Sequence, residues 1–319
     1  MFKEMAKKVL GTVFGKSLPP PSGAEKEFLS ELQTTFQKLP VLETTDSSPS
    51  ETAWKNNMNR LRELVLKQDA REFLRWDVIS KTMFVDNAGY IPAELKYLTT
   101  RPDWDARWRE AIKESTVGHP KPLRVFPASS GNLIHHAYHL AQFEEKTKVP
   151  VHEIECVFEF GGGYGSMCRL FFNLGFRGKY VIFDLPSFSA LQVYFLKTLG
   201  LPVKSLADFK KSDSGIVCVS DIADLPAALT DHRQINSNLF LATWSISESP
   251  MRIRESILPL VSDFQSFLIA YQERFGEVDN LEFFDNWKQT LGNVIWHNWP
   301  IEHIPGNNYL IGNRSYLEA

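Results

Sequence analysis

The residues best suited to chemistry lie in one stretch, Val157-Phe158-Glu159-Phe160-Gly161-Gly162-Gly163-Tyr164-Gly165. An apolar run meets an acidic residue and then four glycines within five positions. Glycine lets a backbone turn sharply and leaves room for a ligand to lie against it. Ser166 to Leu174 follows, with Met167, Leu170, Phe171 and Leu174 at helical spacing, which predicts a helix. Strand, glycine loop and helix N-terminus in that order form a site for a nucleotide-type ligand.

The spacing of the glycines separates two ligand classes. The dinucleotide pattern G-x-G-x-x-G wants its third glycine where this chain has Ser166. The pattern acidic-x-G-x-G-x-G is met in full by Glu159, Gly161, Gly163 and Gly165. Further along, Tyr180-Val181-Ile182-Phe183-Asp184-Leu185-Pro186 ends a second strand on a carboxylate. Asp184 could accept hydrogen bonds from both hydroxyls of a ribose, and it also reads as a helix N-cap ahead of Ser187. Ser220 and Asp221 end a third strand, where such side chains reach an adenine amino group; an aspartate there is equally at home in a loop. A fourth strand ends in Ala242-Thr243-Trp244-Ser245-Ile246-Ser247-Glu248-Ser249-Pro250, and its carboxyl end should face the reacting centre.

With these motifs, residues 155–319 resemble class I methyltransferases that use S-adenosylmethionine (SAM). The glycine loop, the Phe-Asp-Leu-Pro strand end and Ala-Thr-Trp-Ser-Ile-Ser-Glu-Ser are most similar to a bacterial family of sugar O-methyltransferases. The run His135-His136-Ala137-Tyr138-His139-Leu140 resembles that family too, so the likeness spans roughly residues 75–319. It implies SAM as cofactor and a hydroxyl of a sugar or sugar-containing molecule as acceptor. Glu159, Gly161, Gly163 and Gly165, with Gly162 and Tyr164 in the same loop, would hold the methionine end. Asp184 and Leu185 would hold the ribose and Ser220 and Asp221 the adenine, with Thr243 and Trp244 completing the cofactor set.

A sugar hydroxyl has a very high pKa, so its methylation calls for a base or a metal. Glu248 and His297 are the candidate catalytic residues. Glu248 would equally suit a first helical turn, and His297 a structural role. His135 and His139 share a helix face at i,i+4, a spacing that could ligate a metal. No acidic partner is spaced with them as in a known zinc motif. His135, His136 and His139 are therefore read as substrate contacts or packing and the site as metal-independent, with Tyr271 a further candidate substrate contact. Trp244, Trp296, Trp299, Tyr164 and Tyr271 would suit stacking on a sugar ring or filling a core. Two other readings stay open: an NAD-dependent oxidoreductase, and a non-catalytic SAM-binding partner module.

The elements that must position these residues fall into two halves. Residues 1–150 read as a mainly helical region or cap. Its helices are expected at 2–14, 24–39, 52–67, 70–79, 92–98, 104–114 and 132–148, and residues 1–50 read as a loosely attached extension. Residues 151–319 read as a Rossmann-like SAM-binding domain, α/β in class. Its mostly parallel seven-stranded sheet should close on an antiparallel C-terminal hairpin, with a helix from Pro250 capped by Ser249. The 319 residues are 43% hydrophobic and 23% charged, an ordinary globular composition. A net charge of -3 gives no case for nucleic acid as a partner. No apolar run approaches the roughly 20 residues that span a bilayer, and no signal peptide is evident. Cys156, Cys168 and Cys218 are too few and scattered for a disulfide framework, which fits a reducing cytoplasm. The expected partner is a small-molecule or glycan acceptor, and a homodimer is compatible with the sequence.

Overall fold

The computed structural model describes residue 18 and residues 20–45, 49–229 and 237–314; the segment read as a helix at 2–14 lies outside them. The apolar runs of the second half form parallel strands β1 (Cys156–Phe160), β2 (Lys179–Phe183), β3 (Gly215–Val219), β4 (Asn238–Thr243) and β5 (Ser266–Gln272). A small ribbon of β6 (Arg274–Phe275) and β7 (Val278–Asp279) precedes β8 (Val294–Pro300) and β9 (Asn307–Arg314). The seven-stranded sheet has the order β3-β2-β1-β4-β5-β9-β8. β9 lies between β5 and β8 and runs antiparallel to both. This is the mostly parallel, Rossmann-like sheet with a closing hairpin that the sequence predicts. The chain steps outward from β1 to β3, then returns to the far side of β1 with β4. That reversal opens a crevice beyond the carboxyl ends of β1 and β4, where doubly wound sheets bind ligands.

Helices cover both faces, so the strands are apolar along their whole length. Successive residues alternate between two cores: Val157, Tyr180 and Leu239 face one, and Phe158, Val181 and Phe240 the other. α1 (Gly23–Lys38), α2 (Pro49–Lys67), α3 (Ile91–Thr99), α4 (Gly131–Thr147), α5 (Ser166–Asn173) and α6 (Pro186–Thr198) contribute to the first core. α7 (Met251–Ile257) and α8 (Asn280–Gln289) contribute to the second.

One continuous core thus runs from Leu32 and Phe36 in α1 through Leu61 and Leu133 to Ile311 in β9. α1 opens with a reciprocal Ser22–Glu25 capping box and lies on α6, where Lys197 meets Glu31 at 2.8 Å. Three local expectations change. The helix expected over 70–79 is a 3-10 turn (Ala70–Arg75) and a short helix (Asp77–Ser80), because Trp76 between them is extended. The helix expected over 104–114 is a π turn (Trp104–Trp108) followed by Arg109–Ala111. Ser249 does not cap α7: Pro250 holds the cap position with ψ 151, and the Ser249 hydroxyl donates to the Ser245 carbonyl. Phe36→Ala should cost about 3–5 kcal/mol, as for other fully buried phenylalanines. Urea unfolding of the full chain measures it; a cost below about 1 kcal/mol would mean α1 is not part of the core.

Candidate functional site

Beyond the strand ends, β1 runs out at Phe160 and the chain turns through Gly161 (φ +75), Gly163 (φ +58) and Gly165 (φ +96). These left-handed angles are where glycine carries no Cβ penalty. Gly161 has a second reason to be glycine, since a Cβ there would stand 2.2 Å from the Cβ of Ser245. Ser245, just past β4, donates its hydroxyl to the Phe160 carbonyl. The loop is therefore clamped to the end of β4.

It is clamped to β2 as well. The Gly163 N–H donates to Asp184 Oδ2 at 2.9 Å, and Gln192 Nε2 donates to both Asp184 Oδ2 and the Gly163 carbonyl at 2.9 Å. Leu185 N–H donates to Oδ1 at 2.7 Å. Asp184 is thus no helix N-cap; the cap position of α6 belongs to Leu185 and has no side-chain bond. Burial pushes the Asp184 carboxyl up to about 7, against the pull of these three donors. Burial also pushes Glu159 up to about 8; the Tyr180 hydroxyl, 2.9 Å from Oε2, offsets this in part, and the nearby Asp184 adds to it.

The loop forms one wall of a cavity of about 1160 Å³. Glu159, Gly161, Gly162, Gly163 and Tyr164 line it, as do Asp184 and Leu185 after β2, and Ser220 and Asp221 after β3. Thr243, Trp244 and Glu248 line it from the β4 side. Gly165 stands behind Tyr164 as the cap of α5. Asp221 is exposed, and its Oδ1 accepts from the Ala223 N–H at 2.9 Å as an ordinary turn aspartate does. Burial raises the Glu248 carboxyl, and a Gln272 side-chain hydrogen bond offsets this in part.

The helical first half supplies the opposite wall with Trp54, Lys55 and Met58 from α2, Met83 and Phe84, Tyr90, and Asn132, His135 and His136 from α4. A Cβ at Gly163 would stand 3.5 Å from the Cβ of Met83. Arg252 of α7 pairs with Glu51 of α2 across the cavity rim. Trp244 takes a left-handed φ of +63, uncommon for a bulky residue. Its indole N–H donates to Asn307 Oδ1 at 2.6 Å, and its ring stacks on His135 at 5.5 Å.

The other residues singled out in the sequence lie elsewhere. His297 sits on edge strand β8 opposite Ile311, with β9 between it and β5, and does not line the cavity. Tyr271 points into the second core, its hydroxyl 3.2 Å from Asn298 Oδ1. His139 lies behind His135 and meets the Tyr309 hydroxyl. Trp296 packs on Phe267 and Trp299 on Tyr309. No group of three or more His, Cys, Asp or Glu side chains fit to hold a metal ion occurs among the described residues. No described helix is long and apolar enough to cross a membrane.

Sequence reasoning missed three residues that hold the site in place. Gln192 ties Asp184 to the loop; a glutamine on the apolar face shared by Phe188, Leu191 and Phe195 was the available signal. Glu94 is buried on the Ile91–Leu98 face of α3, again an acid on an apolar stripe. Arg254 is fully buried and donates to the carbonyls of Ser247 and Ser249, fixing the turn that carries Glu248; nothing in the sequence marked it.

No protein-family model matches the chain, so the likeness to sugar O-methyltransferases has no matching family model behind it, and no curated protein matches either. Several solved methyltransferase structures do match. The mitomycin 7-O-methyltransferase MmcR is 11% identical, covers 98% of this chain and 99% of its own, and has a TM-score of 0.36. The glycopeptide N-methyltransferase MtfA, complexed with sinefungin, is 11% identical over 56% of this chain and 85% of its own, at 0.36. A precorrin-6y C5,15-methyltransferase from Geobacter metallireducens is 14% identical over 61% and 93%, at 0.34. At such identities and TM-scores these likenesses carry no weight of their own. The fold stands on its strand order and the site on its contacts.

Two outcomes follow for the clamp and for the buried acid. Gly161→Ala should destabilise more than Gly276→Ala, since both take a left-handed residue but only Gly161 meets a neighbour. The Gly276 change should cost about 1–2 kcal/mol, and thermal unfolding should show Gly161 costing clearly more. Equal costs would remove the clamp. Glu159 binds its proton more tightly folded than unfolded, so its contribution to stability falls as pH rises from about 4.5 to about 8. Glu159→Gln should therefore gain stability over the wild type progressively across that window, by a few kcal/mol at the top. A difference that stays flat with pH would show that Glu159 titrates normally.

Proposed function

We propose that the protein is a SAM-dependent O-methyltransferase whose acceptor is a hydroxyl of a sugar or sugar-containing molecule. The observation that carries the choice of donor is the placement of two carboxyls, the buried Glu159 and the half-buried Asp184, on the cavity wall beside the glycine loop. A buried carboxyl with a raised pKa is stabilised in its charged form by cations and hydrogen-bond donors. A dinucleotide would bring an anionic pyrophosphate to that wall, and an NAD-dependent reading is disfavoured for that reason. SAM brings an ammonium, a sulfonium and ribose hydroxyls, with one carboxylate where a dinucleotide has a doubly charged pyrophosphate.

The donor set fits SAM. Glu159 and the Gly161–Gly163 backbone would take the methionine end. Asp184 Oδ1 accepts from Leu185 alone and so retains an acceptor site for a ribose hydroxyl, while Oδ2 is committed to the loop. When bound, SAM supplies a methyl group on a positive sulfur, activated toward an oxygen nucleophile. The chain's own residues bind and orient the two substrates, keep water out and take the hydroxyl proton. Ligand pockets usually run to about 300–1,000 Å³, so a cavity of about 1160 Å³ leaves room for an acceptor beside the donor. Trp54, Tyr90 and Trp244 offer it aromatic faces. Glu248 and His135 are among the wall residues able to take a proton.

Incubation with SAM and a panel of simple glycosides, read by mass spectrometry for a product heavier by one methylene, tests the function. Methylation only at nitrogen or carbon of non-sugar acceptors would overturn the O-methyl reading. Asp184→Ala should weaken binding of S-adenosylhomocysteine (SAH) at least about tenfold, the scale of a hydrogen bond to a charged group. Unchanged affinity by calorimetry would remove Asp184 from the site.

A further inference from the structure

Resting on that reading, we propose that His135 is the general base for the acceptor hydroxyl and that Glu94 is its positioning residue. His135 Nδ1 lies 2.8 and 3.0 Å from the two oxygens of Glu94. The same carboxyl receives His303 Nε2 at 2.7 Å from the β8–β9 loop. Glu94 is fully buried, which alone would raise its pKa. The hydrogen bonds from the two histidines outweigh that burial and hold the carboxyl below its usual range. An ionised carboxylate only accepts hydrogen bonds, so Nδ1 of His135 must carry the proton. In the neutral ring the lone pair is then on Nε2. That atom has no hydrogen-bond partner among the described residues, is not sealed from solvent, and belongs to a side chain lining the cavity.

The ring is also held in place. It stacks on Trp244 at 5.5 Å, meets His139 edge-on at 4.2 Å and lies 5.5 Å from Tyr90. Trp244 follows β4 directly, so the stack places the His135 ring beside the crevice that holds the glycine loop. The titratable groups around the ring are Glu94 and Tyr90 from the α3 side, His136, His139 and Tyr138 along α4, His303 from the β8–β9 loop and Tyr309 from β9. His136 also lines the cavity but has no carboxylate behind it, its Nδ1 is sealed without a partner, and burial lowers it to about 3, so it holds a proton poorly. Glu248 faces the cavity from the other side, where Gln272 engages it.

In the transfer, the acceptor O–H proton passes to Nε2 while the oxygen lone pair closes on the methyl carbon. The C–S electron pair goes to sulfur and cancels its positive charge. The imidazolium rests on the Glu94 carboxylate until the proton leaves for water. This arrangement suits an acceptor whose hydroxyl does not ionise unaided, such as a sugar alcohol.

Nitrogen-15 NMR of histidine-labelled full-length protein, with and without SAH, reads the tautomer directly. In its neutral form His135 should be protonated on Nδ1 and bare on Nε2, and Glu94→Gln should populate the opposite tautomer. Calorimetry on His135→Asn should give SAH affinity within about threefold of wild type, while turnover of any glycoside the wild type methylates should fall about a hundredfold or more. A proton found on Nε2, or His135→Asn turning over at the wild-type rate, overturns the proposal. Loss of SAH binding by the wild type itself would instead overturn the SAM reading.

Discussion

The site depends on one clamp. Asp184 at the end of β2 accepts the Gly163 N–H, Gln192 braces both partners, and Ser245 closes on Gly161 from the end of β4. The glycine loop is thereby stretched between the two strands that flank β1, at the point where the strand order reverses. The loop geometry is fixed by covalent glycine chemistry and by three hydrogen-bonded neighbours before any ligand arrives. Such pre-organisation spares a ligand the ordering cost of the loop. It also explains why a residue expected to hold ribose does double duty: half of the Asp184 carboxylate is spent on the backbone it would share with the ligand.

The clamp has an electrostatic consequence. Drawing Glu159 and Asp184 out of water raises both, to about 8 and about 7, so the cavity wall is biased toward neutral acids at rest. Their ionised forms need a positive or donor-rich partner. The helical first half supplies the wall opposite the loop, through α2, α4 and the Met83–Phe84 segment. α4 brings His135 to that wall with Glu94 of α3 behind it, so one cavity holds a cation-seeking side and a proton-accepting side.

Much of this was legible in the sequence, for identifiable reasons. The strands were readable because both faces of the sheet are buried and each strand is an apolar run. The glycine loop and Asp184 were readable because left-handed turns and strand-end carboxylates leave local signatures. His297 was misplaced because β9 inserts between β5 and β8, a long-range pairing that no local pattern encodes. Tyr271 was misplaced because neighbouring residues of a central strand serve opposite cores. Glu94, His303 and His135 come from three segments that meet only in the fold, so their spacing carried no signal; a buried acid on an apolar helix stripe was the one available hint.

Two carboxyls with raised pKa values on one cavity wall favour a cationic donor over an anionic one. Calorimetric titration of the full-length protein with SAM at pH 6.5, in two buffers of different ionisation enthalpy, measures the protons exchanged on binding. Glu159 and Asp184 should ionise as SAM binds, giving net proton release, and NAD should show no binding. Binding of SAM with no release, or tighter binding of NAD, would contradict the claim.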